Sequence, residues 1–289
     1  MPMNELLSQI IAAHGGVDPW NRYKKVEATI VSGGGFFRLK GVPQDSNPRR
    51  MTVWLHEERS SVFPFGAPDQ RTMFTPERIA IEKLDGTIVA ERPTPRDSFA
   101  GHQMSTPWDP LHRAYFNGEA LWTYFTTPFL LAMDGVRVEE IDPWREGGET
   151  WRVLRAYFPG SVETHCGIQD FFFGEDLMLR RHDYNVNIAG GFAAAQLTSD
   201  YVVANGIYLP TKRRAYTRGS DRRPIPEMLM VSIDISEGFR LATIPPDHRG
   251  RGIFIYTQFR IREKHTNPTL AVCTAMLAIL CTRAESPRQ

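Results

Sequence analysis

The stretch 201-YVVANGIYL-209 decides the fold class of this 289-residue chain, because it holds two runs of strand-forming residues around a two-residue turn. Asparagine and glycine tolerate the positive φ angles of a type I′ turn, and this turn matches the twist of paired strands. The stretch 79-IAIEKLDGTIVAE-91 repeats the pattern, with Asp85-Gly86 at its turn. Both stretches predict antiparallel β-hairpins with type I′ turns.

Further runs with strand character lie on either side of these hairpins. Val26, Ala28 and Ile30 alternate with their neighbours, as expected for a strand that buries one face. The other predicted strands are 51–55, 150–158, 169–173, 177–188, 193–203 and 228–235. Roughly ten short strands without alternating helices predict a mainly β protein with a curved antiparallel sheet, and argue against a doubly wound parallel sheet.

Two helical segments interrupt the β pattern. An N-terminal helix begins at Asn4, which can cap it, and ends at Gly15-Gly16; Trp20 is expected to pack it onto the sheet. The second segment is an insert over residues 106–133. Thr106 takes its cap position and Pro107 its first turn, and we expect the helix to break near Gly118 and Pro128.

The insert carries seven large aromatic side chains, which are expected to lie against the concave face of the sheet. They are Trp108, Tyr115, Phe116, Trp122, Tyr124, Phe125 and Phe129. Core packing is one interpretation of this run, and the wall of a pocket for an apolar molecule is the other. The sequence thus predicts an incomplete, half-open barrel with an N-terminal helix and a helical plug or lid. This domain covers residues 1–238, and a partly unstructured extension covers 239–289.

Charge and cysteine content exclude several classes of function. Lys and Arg number 34 against 33 Asp and Glu, so the basic excess typical of nucleic-acid binding is absent. The three cysteines, Cys166, Cys273 and Cys281, include no closely spaced pair that indicates a disulfide framework or a zinc knuckle. The N-terminus lacks a signal-peptide pattern, and the most apolar run, 269–281, is too short for a membrane-spanning helix. We therefore expect a cytoplasmic protein without stable membrane insertion.

The common cofactor motifs are also missing. The triplet Gly33-Gly34-Gly35 precedes two phenylalanines in a strand context, which predicts a bend rather than a phosphate-binding loop. The sequence has no G-x-S-x-G, H-E-x-x-H or P-loop motif. No cofactor is predicted.

Histidines are the remaining candidates for chemistry. Asp109 and His112 are spaced to share one helix face, and His102 lies just before the insert. His182 and Tyr184 share one face of a strand, so that either this pair or Arg181 and Asp183 face the cavity.

Three interpretations of these histidines stay open. In the first, each histidine forms a local hydrogen bond or caps a helix. In the second, one or two of them act as general acid or base on a buried substrate. In the third, they surround a metal ion. In the metal interpretation the ligands come from six residues. These are His102, His112, His165, His182, Asp109 and Asp200.

The basic residues have two interpretations. They form a solvated face of the sheet, or they supply an anchor for a substrate carboxylate, with Arg181 the preferred anchor. The residues are Arg180, Arg181, Lys212, Arg213 and Arg214. Cys166 neighbours His165, but adjacent strand residues point apart, which argues against a catalytic Cys–His pair.

Several short motifs resemble a group of bacterial proteins with the fold of the LolA/LolB lipoprotein carriers. They are 11-IAAHGG-16 with Trp20 and 28-ATI-30, 98-SFAGH-102, 106-TPWD-109 with His112, and 181-RHDY-184. The resemblance spans about residues 5 to 238 and implies a curved sheet with helices covering an apolar cavity. Those carriers act in the periplasm, so the missing export signal argues against lipoprotein transport here. The fold also resembles the cofactor-free rearrangement enzyme of violacein biosynthesis.

These observations lead to one functional hypothesis and two alternatives. The first is that the half barrel binds a hydrophobic small molecule, lined by Trp108, Tyr115, Trp122, Phe125, Phe129 and Arg181. The first alternative is a cofactor-independent cyclase or isomerase of secondary metabolism, in which His182 or His102 moves protons and Tyr184 or Asp109 assists. The second alternative is a metal-dependent enzyme with a His/Asp cluster. The sequence leaves the oligomeric state open.

Overall fold

Two meanders of antiparallel strands meet side by side in residues 3–243, the part of the chain that the computed structural model describes. The first meander consists of β1 (Tyr23–Gly33), β2 (Arg49–Trp54), β3 (Arg59–Phe63), β4 (Gln70–Thr75), β5 (Arg78–Lys83) and β6 (Ile88–Pro93). The second consists of β7 (Arg137–Glu146), β8 (Glu149–Tyr157), β9 (Ile168–Phe173), β10 (Leu179–Val186), β11 (Phe192–Ala204), β12 (Ile207–Arg218) and β13 (Pro224–Thr243). Because β1 pairs with β13, with Ile30 opposite Ile235, the thirteen described strands form one sheet whose edges are β6 and β7.

The helices lie in the connections between these strands. In the described chain they are α1 (Glu5–Ala13), α2 (Val17–Asn21), α3 (Phe36–Leu39) and α4 (Pro110–Thr126), with 3-10 turns at Pro95–Phe99, Phe129–Ala132 and Asn187–Ala189. α4 joins edge strand β6 to the opposite edge strand β7 and packs against β2 to β6 on the way. Buried side chains of α4 share one hydrophobic cluster with residues of both meanders, so the helix crosses the face of the sheet that carries the core. The predicted half-open barrel with a helical plug is therefore confirmed.

Both predicted hairpins are present, but only one has the predicted turn. Asn205 and Gly206 have φ angles of 50° and 88°, as a type I′ turn requires. In the other hairpin only Gly86 has a positive φ, and its amide N–H donates to the carbonyl of Lys83 at 3.0 Å. The loop between β5 and β6 is therefore longer, with glycine in its left-handed position, and the type I′ assignment there is wrong.

The N-terminal helix forms as predicted. The Asn4 side chain accepts the amide N–H of Leu7 at 3.2 Å, and the apolar face of α1 is buried. Trp20 packs as expected, although it lies on the short helix α2, which the sequence did not predict. Its ring stacks on Phe129 at 4.1 Å, so α2 is fastened to the end of the insert.

Sequence periodicity missed β3, β4 and β7. The inward positions of β3 and β4 include hydroxyl side chains, so their residues do not alternate between apolar and polar. Ser60 donates to the carbonyl of Gly118 at 3.0 Å, and Thr72 accepts the amide N–H of Val62 at 2.9 Å. These hydrogen bonds offset the free-energy cost of burying the two hydroxyl groups. Phe36 also departs from the prediction, since it begins α3 instead of continuing a strand.

The insert differs from the prediction in its start and its continuity. Asp109, not Thr106, is the N-cap of α4, and Pro110 occupies the first turn. Thr106 and Asp109 each precede a proline, so the sequence pattern fits either as the cap. The helix begins at the later one because the amide N–H of Trp108 donates to the carbonyl of Lys40 at 2.8 Å, which keeps Trp108 outside the helix. α4 runs unbroken through Gly118, whereas the break at Pro128 is confirmed.

Most of the predicted C-terminal extension, residues 239–289, lies outside the described residues. β13 continues to Thr243 and pairs there with the start of β1. Residues 244–289, including Cys273, Cys281 and the apolar run 269–281, lie outside the described residues. The extension therefore stays a prediction.

Gly118 is the point of closest approach between α4 and the sheet. A Cβ at this position would lie 2.4 Å from both Cβ and Cγ of Phe74, a ring that is itself buried. We predict that Gly118→Ala lowers the free energy of unfolding by about 3 kcal/mol because the helix must move away from β4. Urea unfolding measures the change.

The control for this substitution is Gly160→Ala, where no atom lies within 4 Å of the new methyl group. Its unfolding free energy should stay close to that of the wild type. Phe74→Leu should lower the free energy of unfolding less in the Gly118→Ala background than in the wild type. The smaller side chain relieves part of the clash with the new methyl group at position 118. Equal costs in both backgrounds would contradict this account.

Candidate functional site

His102, Asp109 and His112 come together at the N-terminus of α4. The Asp109 side chain accepts the amide N–H of His112 at 2.8 Å, and Nδ1 of His112 accepts the amide N–H of Asp109 at 3.1 Å. Arg92 donates to Asp109 at 2.6 Å, and the His102 ring lies 5.1 Å from that of His112. The predicted Asp109–His112 pair is thus present as a capping box. The catalytic roles of the three residues stay predictions.

A second group lies deep in the core, between α4 and β10. Oη of Tyr124 lies 2.9 Å from Nε2 of His165 and 2.8 Å from Oη of Tyr184, and all three residues are buried. The His165 ring stacks on Tyr184 at 4.2 Å. Burial raises the pKa of Tyr124 to about 12, so its hydroxyl keeps its proton at neutral pH.

His182 adjoins this group and faces inward, as Tyr184 does. Their ring centroids are 4.7 Å apart, and the His182 ring also stacks on Phe171 at 4.2 Å. Burial, with His165 and Arg213 nearby, lowers the pKa of His182 well below its usual value. The imidazole is therefore neutral, and its Nε2 lies 2.6 Å from Oε1 of Gln169, which accepts a hydrogen bond when Nε2 carries the proton.

Charged side chains extend the buried group towards the surface. Glu119 on α4 is fully buried, and its Oε1 lies 3.0 Å from Nδ1 of His165 without an aligned hydrogen bond. Nη1 of Arg96 lies 4.0 Å from Oε2 of Glu119 and 2.6 Å from Oε2 of Glu163. We call Glu58, Arg96, Glu119 and Glu163 the acid cluster, since it holds three carboxyl groups for one guanidinium.

Glu58 is the unusual acid of this cluster. Its Oε2 accepts the amide N–H of Glu163 at 3.3 Å, while its buried Oε1 has no partner among the described residues. Burial, together with the charges of Glu163 and Glu119, raises the pKa of Glu58 to about 8. The side chain is thus mostly protonated at neutral pH.

The acid cluster was not predicted from the sequence, although one signal for it exists. Glu119 is the only charged residue between Arg113 and Asp134, a stretch dominated by large apolar side chains. A lone carboxylate in such a helix needs buried partners. Those partners come from three loops or turns distant in sequence, which periodicity does not connect.

Arg181 lies on the other face of the sheet from His182. Its guanidinium pairs with Asp183 and Glu146, each at 2.6 Å, and lies over the Phe172 ring at 4.9 Å. Arg181 is fully buried, and Arg213 is almost fully buried. The guanidinium of Arg213 donates to the carbonyl of Tyr124 at 2.6 Å. The solvated basic face predicted for these two arginines is therefore wrong.

The aromatic side chains of the insert are packed into the core. Those predicted to contact a ligand are all at most 5% exposed: Trp108, Tyr115, Trp122, Phe125 and Phe129. Nε1 of Trp122, for example, donates to the carbonyl of Trp54 at 3.1 Å. The cavity between α4 and the sheet at Tyr124 measures about 20 Å³, which is room for one water molecule. Their ligand contacts stay a prediction.

An open groove lies beside this filled interior, where the first turn of α4 meets edge strand β6. Its volume is about 480 Å³. Its apolar lining consists of Val42, Phe65, Ile81, Val89, Ala90, Pro110 and Leu111. Asp109 and Arg113 also line it. We call it the β6 groove.

The metal interpretation gains no support from the residues that can be described. Between residues 3 and 243, no three His, Cys, Asp or Glu side chains are grouped so that they could hold a metal ion. His102 and His112 belong to one group, and His165 and His182 to another. Asp200 instead pairs with Lys212 at 2.5 Å.

None of the helices within the described range is both long enough and apolar enough to cross a bilayer. The predicted cytoplasmic location stays a prediction.

Comparisons with known proteins identify the fold. No protein-family model matches the chain, and no curated protein is similar to it in sequence. A solved DUF1329 family protein from Desulfovibrio piger shares 11% identity at a TM-score of 0.50, covering 83% of this chain and 94% of that one.

Two further solved structures are similar over most of their length. A putative outer membrane lipoprotein-sorting protein domain from Vibrio parahaemolyticus shares 9% identity (TM-score 0.47, 81% of this chain and 91% of that one). A LolA superfamily protein from Nitrosomonas europaea shares 10% identity (TM-score 0.45, 82% and 94%). The likeness to the DUF1329 family protein supports the predicted fold, and at this identity it concerns the fold alone.

The protonated Glu58 makes stability depend on pH. The folded protein keeps this proton up to a pKa of about 8, whereas the unfolded chain releases it near 4.5, so stability falls as pH rises between these values. Glu58→Gln removes this loss. We predict that at pH 8 the variant is more stable than the wild type by on the order of 2 kcal/mol, and that the difference shrinks towards pH 4.5.

Urea unfolding at pH 5 and pH 8 measures this difference. Glu57→Gln is the control, since its side chain is 59% exposed and it should leave the pH dependence unchanged. A Glu58→Gln variant with the pH dependence of the wild type would show that Glu58 is ionised in the folded protein.

Tyr124 connects His165 with Tyr184 through a single hydroxyl group. Tyr124→Phe leaves both partners one hydrogen bond short in a buried site, so we expect a loss of about 1–3 kcal/mol in unfolding free energy. Tyr208→Phe is the control, because Tyr208 is 38% exposed. Losses of equal size in the two variants would mean that the buried hydroxyl stabilises nothing.

Proposed function

We propose that this protein binds a hydrophobic small molecule on its LolA-like half barrel, with the apolar part of the ligand in the β6 groove. The observation that carries this proposal is the groove itself. Its volume of about 480 Å³ falls in the range of small-molecule sites, about 300–1,000 Å³. Seven apolar side chains line it, and transfer of a ligand from water onto such a surface is favourable.

Exposed apolar residues on the β5–β6 hairpin, which contributes Val89 to the groove, support the same proposal. Leu84, Ile88 and Val89 on the β5–β6 hairpin are 53%, 43% and 46% exposed. Single exposed apolar side chains are ordinary, whereas several on one hairpin are more typical of an interaction site.

The interior under α4 is the alternative place for a ligand, and the volumes of the two sites favour the groove. A cavity of about 20 Å³ admits no organic molecule unless α4 moves away from the sheet. The β6 groove is open without such a movement. The same volume argument favours the binding function over acid–base catalysis by His182 and Tyr184, which adjoin Tyr124, because a substrate has little room there.

Val89→Asp tests the site with little risk to the fold, because Val89 is exposed at the groove. A carboxylate in the apolar lining must lose hydration when the ligand binds. We predict at least a tenfold loss of affinity, about 1.4 kcal/mol, for the neutral fluorescent probe N-phenyl-1-naphthylamine. Fluorescence titration measures the dissociation constant.

Val203→Asp is the matched control. Val203 is 56% exposed on the other hairpin, β11–β12, and the same substitution there should leave the dissociation constant unchanged. Equal affinities of the two variants would rule out the β6 groove as the binding site. If the wild type does not bind the probe, the proposed function is wrong.

A further inference from the structure

Arg113 is a cation of the β6 groove that forms no ion pair within 4 Å among the described residues. It lies on the first turns of α4, and its guanidinium is placed over the Phe65 ring at 4.4 Å. Among the side chains of the described residues, no carboxylate oxygen lies within 4 Å of its nitrogens. Arginine in such a position has lost hydration without gaining an ion pair.

The contacts of Arg113 leave part of its guanidinium unused. Nη1 donates to the carbonyls of Pro43 at 2.8 Å and Val42 at 3.4 Å, which fixes the side chain beside the groove. Nε is buried and has no hydrogen-bond partner among the described residues. Burial lowers the pKa of Arg113, with a further contribution from Arg49, whereas the charge of Asp45 raises it. Nη2 makes no hydrogen bond with the described residues, so it is the nitrogen with which an acceptor in the groove can pair.

The nearby carboxylates are already committed to other arginines. Asp45 accepts two hydrogen bonds of 2.8 Å from Arg49. Asp109, which lines the same groove, pairs with Arg92 at 2.6 Å. These two pairs are balanced, and Arg113 therefore leaves one positive charge in excess at the apolar groove.

We propose that Arg113 binds the carboxylate head group of the ligand, so that the β6 groove selects single-chain anionic amphiphiles over neutral apolar molecules. This inference rests on the proposed function. The apolar lining takes the chain, and the planar guanidinium forms charge-assisted hydrogen bonds with the head group. A long-chain fatty acid has both parts. A neutral alcohol of the same length has only the first.

Displacement of N-phenyl-1-naphthylamine by laurate and by 1-dodecanol tests this selectivity. We expect the wild type to bind laurate at least tenfold more tightly than dodecanol. In Arg113→Gln the laurate affinity should fall to that of dodecanol, while the dodecanol affinity stays as in the wild type. Arg145→Gln, which removes an exposed arginine on the opposite edge strand β7, should change neither.

The possible outcomes separate this inference from the proposed function. Equal affinities of the wild type for laurate and dodecanol, or equal losses of both in Arg113→Gln, would overturn the role of Arg113 and leave groove binding intact. Failure of the wild type to bind the probe and both ligands would overturn the two together. If Arg113→Gln does not fold, the role of Arg113 is tested with Arg113→Lys and with the salt dependence of laurate and dodecanol binding. Salt must weaken laurate binding more than dodecanol binding, and Arg113→Lys must retain part of the laurate preference.

Discussion

The close packing of α4 against β3 and β4 is the contact on which the rest of the structure depends. Gly118 brings the helix backbone onto the Phe74 ring, and its carbonyl accepts a hydrogen bond from Ser60 at 3.0 Å. The sheet of described strands does not close into a barrel, so its inner face would be open to water. α4, which connects the two free edges, covers that face instead. An open sheet of thirteen described strands thus obtains a core, and the helix side chains fill the space in which a ligand would lie in an empty half barrel.

The same packing determines which polar groups enter the core. α4 carries Glu119 and Tyr124 inward, where an unpaired carboxylate or hydroxyl is costly. His165 meets both of them, at 3.0 Å and 2.9 Å, and Arg96 approaches Glu119 from the acid cluster. The core therefore combines a rigid hydrogen-bonded group around His165 with a carboxyl-rich edge at Glu58 that responds to pH. Nothing in this arrangement requires a substrate, and its evident effect is to hold α4 in register on the sheet.

Ligand binding and internal packing are consequently separated in space. The interior retains about 20 Å³ at Tyr124, whereas the β6 groove offers about 480 Å³ at the end of the same helix. The N-terminal turns of α4 contribute to both tasks, since Asp109 caps the helix and Arg113, one turn later, faces the groove. A ligand bound there would contact the plug at its end, without displacing it.

The sequence by itself determined the fold class, both hairpins and the position of the helical plug. Turn residues such as Asn205-Gly206 and alternation such as Val26, Ala28 and Ile30 are local signals, and they act on the chain wherever it lies. Only the tertiary structure decided that β1 pairs with β13, that β3 and β4 are strands, and that His165 contacts both Glu119 and Tyr124. These features depend on hydrogen bonds and close contacts between segments far apart in sequence. No local pattern encodes such partners, because their energy exists only once the segments have met.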